Sequence, residues 1–92
     1  MSAAVGLKDQ DKVIEAGTLF LKNNRDHDVA MALGYAYESR ASTREPRAKL
    51  DDLNKALEAY QTARKANPAS RIAGEKIPEL KIEILKLRKA RQ

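Results

Sequence analysis

At 92 residues the chain holds one domain at most, near the lower limit for a self-sufficient core. Its 42% apolar content suits a folded domain rather than a disordered tail, and three Tyr, one Phe and no Trp require an aliphatic, alanine-rich core. Cysteine is absent, which excludes disulfides and thiolate metal sites; 18 basic against 13 acidic residues, a net charge of +5, is a mixed surface rather than a basic block.

Residues 1–6 are too short and uncharged to read as a signal peptide, and no apolar run approaches the ~18 residues of a spanning helix. A soluble, cytoplasmic protein with no membrane contact is the plain expectation. Ala, Leu, Lys, Arg and Glu dominate, all good helix formers. A first helix is expected over about residues 8–23, with Asp9 or Asp11 as its cap and Val13, Ile14, Gly17, Phe20 and Leu21 gathered on one face. The polar cluster Asn23, Asn24, Arg25 and Asp26 stops it.

The second helix, about 28–43, starts near Asp26 or Asp28, an acid at the positive end of the helix dipole. Val29, Ala30, Leu33, Gly34, Tyr37 and Ala41 recur at steps of three and four. Gly34 in that run costs roughly 1 kcal/mol against Ala, which points to close packing of neighbouring helices or to a hinge. Ser42 to Pro46 breaks the pattern, and Pro46 fits the first turn of a third helix over 46–66. There Leu50, Leu53, Leu57 and Tyr60 form one stripe, with Ala56, Ala59 and Ala63 beside it as a close-packing seam; Pro68 ends the run. Residues 69–76, containing Gly74, read as a connector. A fourth helix over about 76–91 then places Pro78 in its first turn, with Ile77, Leu80, Ile84 and Leu87 on one face and Ile82 and Leu85 on a second apolar flank. No strand alternation appears, so the expected fold is all-α.

The tetratricopeptide repeat has the pattern W-x2-L-G-x2-Y, then A-x3-F, then P. This chain reads Ala30-x2-Leu33-Gly34-x2-Tyr37, then Ala56-x3-Tyr60, then Pro68. Only the Trp and Phe positions differ, so the central third to half of the chain resembles a tetratricopeptide repeat. The resemblance implies an array of about four helices in antiparallel hairpins, with the fourth as a C-terminal capping helix. The repeat is normally about 34 residues long, and the segment between Gly34 and Ala56 is roughly ten residues too long for it. Either the helix pair is lengthened by about five residues on each side, some 7.5 Å, or a loop is inserted.

The resemblance further implies an adaptor that binds a partner protein or peptide, since the front helix of each unit lines a concave groove. Asp28, Met31, Tyr35 and Glu38 share one stripe beside the packing face and form the candidate partner-binding set; Met31 and Tyr35 packing on the first helix is the alternative. Met31 and Tyr35 stand where a carboxylate-gripping member would carry polar groups, which argues against binding of chaperone tails. Arg40, Arg44, Arg47 and Lys49 form a candidate basic tip, either a contact for an acidic protein or RNA or simply a solvated helix end. A small RNA-binding protein using that tip and the basic residues 86–91 is the alternative function. Those last cations equally complement a helix C-terminus. Ile82 and Leu85 are the candidate oligomer face, giving a homodimer or an obligate complex unless they fold back into the bundle. His27 is the only histidine, and adjacent Asp51 and Asp52 point in different directions on a helix. No catalytic residue, metal or cofactor is expected.

Overall fold

The computed structural model describes the backbone of residues 3–91 and the side-chain surroundings of residues 10–90. Four helices, α1 (Ala3–Asn23), α2 (His27–Ala41), α3 (Pro46–Ala66) and α4 (Arg71–Arg91), pack as sequential antiparallel pairs, and the fold is all-α among the described residues. No helix among them is long and apolar enough to cross a membrane.

The helix ends follow local chemistry, with two departures from expectation. α1 passes through Asp9 and Asp11, so neither caps it; residues 1 and 2 of the stretch read for a leader lie outside the described residues. α2 is capped by Asp26, whose carboxylate accepts from the Val29 N–H at 3.1 Å, and it ends at Ala41. α3 has its expected bounds, with Pro46 in its first turn and Asn67 beyond its end. α4 begins at Arg71 instead of near Lys76, so Gly74 and Pro78 lie inside the helix rather than in a connector and a first turn. Ser70 starts it: the Ser70 carbonyl accepts from Gly74, and its hydroxyl lies 3.4 Å from the Ala73 N–H. Pro78 has no N–H for the residue four earlier, and a proline ring crowds that residue's carbonyl. That residue is Gly74, with no side chain and nothing within 4 Å of where a Cβ would stand.

Only residues 42–45 separate α2 from α3, which overturns the inserted-loop alternative. The turn is tight: Thr43 and Arg44 donate to the carbonyls of Arg40 and Ala41. The excess length lies in helix but not evenly: α3 has 21 residues and α2 only 15, so the equal extension of about five residues on each side is not seen.

The core is built where α2, α3 and α4 meet. Ala30, Leu33, Tyr37 and Ala41 face Leu53, Ala56, Tyr60 and Ala63, while Ala73, Ile77, Leu80 and Ile84 close the far side. Ile14 and Leu21 of α1 pack against this cluster. Small residues set the helix spacing. A Cβ on Gly34 would fall 2.6 Å from the Tyr60 ring, so α2 and α3 approach to a distance that only glycine allows. This decides between the two readings of Gly34 in favour of close packing.

Candidate partner-binding face

α2 and α4 both pack on α3 and are tied to each other by side chains twice, in the same order along both helices. Near their N-termini, His27 Nε2 lies 2.6 Å from the Ser70 hydroxyl, and His27 Nδ1 lies 3.1 Å from Asp28. Further along, Lys76 Nζ reaches the Glu38 carboxylate at 3.4 Å. Glu38 also accepts from the Tyr60 hydroxyl, so one carboxylate joins α2, α3 and α4. Burial and the Glu38 carboxylate together push the Tyr60 phenol far above its usual range, which keeps it a protonated donor.

Tyr35 sits over this junction. Its ring meets Tyr60 edge-on, with centroids 5.8 Å apart and planes at 78°. The Lys76 ammonium lies 5.9 Å from the Tyr35 ring centroid on the α4 side. Despite these contacts Tyr35 is 43% exposed.

The four residues of the α2 stripe therefore have different surroundings. Asp28 is exposed, Tyr35 is anchored and half open, and Glu38 is half-buried in the three-helix junction. Met31 is only 6% exposed and belongs to the core, so its side chain is not presented at the surface.

The basic tip is divided in the same way. Asp52 is fully buried, and Arg40 grips it through Nε at 3.1 Å and Nη2 at 2.7 Å. Arg44 adds a third approach at 3.4 Å, while the other arm of Arg40 reaches Asp11 at 3.1 Å. Its hydrogen bonds to Asp52 hold the Arg40 guanidinium yet more firmly in its charged form, against the opposing cost of burial. Two of the four tip cations thus serve to neutralise a buried carboxylate. Arg47 is exposed and Lys49 half-buried, and Arg47 shares a shallow cleft with Glu45 and Asp51. The tip is not a uniform basic cluster. Asp51 points away to Lys55 at 3.9 Å, so the adjacent acids diverge as expected.

Ile82 and Leu85 are 55% and 57% exposed, so they do not fold back into the bundle. Among the described residues, no group of three or more His, Cys, Asp or Glu side chains is placed to hold a metal ion.

Sequence reasoning missed the Arg40–Asp52 grip and the Lys76 tie. The first had a signal: Asp52 keeps the three-and-four register of Ala56, Ala59 and Ala63, which puts it on the buried seam. A charge there requires a cation across the turn. The second was hidden by reading Lys76 as connector instead of helix. No protein-family model, curated protein or solved structure gives a significant match to this chain.

Proposed function

We propose that the chain is a tetratricopeptide-like helical adaptor that captures a segment of another protein on the face shared by α2 and α4. The observation that carries the reading is Tyr35: an aromatic ring fixed edge-on against a buried tyrosine, yet 43% open to solvent. A ring held this way loses little freedom on binding, and tyrosine is among the side chains enriched at the hot spots of protein interfaces. The repeat assignment draws support from packing. Ala30, Leu33, Gly34, Tyr37, Ala56 and Tyr60, all marks of the pattern or substitutes for them, are buried together, with Gly34 against the Tyr60 ring. The adaptor reading assigns the chain no reaction and no cofactor. The RNA-binding alternative is the weaker one, because Arg40 and Arg44 are committed to Asp52.

Affinity capture with Tyr35→Ala beside wild type tests the reading. The variant is expected to lose the captured protein while keeping the wild-type circular dichroism spectrum. Recovery of the same protein in the same amount by a folded Tyr35→Ala chain overturns it.

A further inference from the structure

A second surface lies in the outer furrow between α3 and α4, away from the α2 side. Two adjoining clefts occupy it. One, of about 530 Å³, has Arg64, Lys65 and Lys81 around buried Ile77. The other, of about 290 Å³, has Lys81 and Arg88 beside Leu57 and Leu85. Lys81 lines both, which joins them into one groove. No acidic side chain lines either cleft, and among the described residues none of the four cations forms an ion pair.

The dimensions and chemistry select an occupant. From Ile77 to Arg88 on α4 the groove runs about 16 Å, the length of three helical turns. Its floor is aliphatic and its rim cationic, so it fits a rod with an apolar stripe flanked by acids. An amphipathic helix has that form. Leu85, 57% exposed on the groove wall, offers apolar area that such a stripe would cover. The lysine and arginine stems add further apolar cover while their charges meet the flanking carboxylates. Nucleic acid suits the groove less well, because no aromatic ring lines it for bases to stack on.

We infer that the α3–α4 groove docks an acidic amphipathic helix of about three turns belonging to another protein. This surface is separate from the Tyr35 face, and it stands or falls independently of the adaptor reading. It gives the chain two binding sides, one on either flank of α4.

The test titrates the full chain with a fluorescently labelled helical peptide of about twelve residues, carrying Leu along one stripe and Glu beside it. Three comparison probes accompany it: the same composition with the Leu positions scrambled, the same stripe with Lys for Glu, and a single-stranded oligonucleotide of similar charge. Saturable binding of the first peptide at physiological ionic strength is expected. Lys81→Glu and Arg64→Glu should each weaken it by about tenfold or more, on the scale of opposed charges across an interface. Lys12→Glu, the same charge change on exposed α1, should leave it within about twofold, as a distant exposed charge does. Leu85→Ser should weaken the ordered peptide and leave the scrambled one unaffected. Circular dichroism of each variant keeps loss of fold distinct from loss of binding. Equal affinity for ordered and scrambled peptides overturns the inference, as does tighter binding of the oligonucleotide. So does an association of the chain with itself that Lys81→Glu dissolves, for then a second copy occupies the groove.

Discussion

Replacing Gly34 by Ala puts the close approach of α2 and α3 to a test in which the sign of the effect is informative. On helix propensity alone the substitution should stabilise, since Ala is favoured over Gly by about 1 kcal/mol in a helix interior. The packing opposes this. The new Cβ would lie 2.6 Å from two atoms of the Tyr60 ring and 2.9 Å from a third, so reaching an ordinary 3.4 Å contact requires about 0.8 Å of movement. The ring cannot easily supply it, being fully buried and tethered to Glu38 through its hydroxyl. The helices must separate instead, and overpacking of this kind costs about 1–3 kcal/mol, here towards the upper end. Net destabilisation of about 1–2 kcal/mol is expected, or roughly 4–16 °C in Tm for a domain of this size. Urea unfolding followed by helical circular dichroism measures it, with a double-mutant cycle against Tyr60→Leu to locate the cause. In the Tyr60→Leu background the added methyl should cost at least about 1 kcal/mol less, because the planar ring it strikes is gone. A Gly34→Ala chain more stable than wild type, or a cycle with no coupling, would refute the claim that the glycine is there for Tyr60.

Removing Arg40 leaves the fully buried Asp52 with only the longer approach of Arg44, so Arg40→Ala should destabilise by about 3–5 kcal/mol in the same assay. Asp11→Ala, which breaks only the exposed arm of Arg40, should cost about 0–1 kcal/mol. Met31→Glu and Tyr35→Glu should differ sharply although they share a stripe: the first forces a charge into the core and loses the folded spectrum, while the second stays folded. Tyr60 makes a pH prediction whose sign is fixed by its raised folded-state pKa against an ordinary 10.0. Its contribution to stability is intact below about pH 10 and is lost as the pH climbs further, because the unfolded chain releases the phenolic proton first. Absorbance of tyrosinate should therefore show a component that appears only together with loss of helix, and Tyr60→Phe should delete that component.

The helices could be read from the sequence because their apolar residues repeat at three and four, and α3 matched at both ends since Pro46 and Pro68 bracket it. α4 was misplaced for the same reason that proline is usually informative. Pro78 reads as a first-turn residue, and nothing local announces that Gly74 four residues earlier makes an interior proline tolerable. The candidate face was legible as a stripe but not as a surface. Spacing places Met31 and Tyr35 on one side of α2, whereas burial depends on how far α1, α3 and α4 reach around it. Ion pairing was the least legible layer: Arg40 and Asp52 stand on different helices, and only the tight turn at 42–45 shows that they meet.

The sequential packing of the four helices has a kinetic consequence. Each helix leans chiefly on its neighbour along the chain, with α1 on α2, α2 on α3 and α3 on α4. Contacts of that kind close small loops, so the entropy spent before each is rewarded stays low and folding proceeds by short local steps. Stability is graded along the same row. α1, which adds only Ile14 and Leu21 against the core, is expected to open before the α2–α3 pair with its buried ring and buried carboxylate, an order that hydrogen exchange would read out.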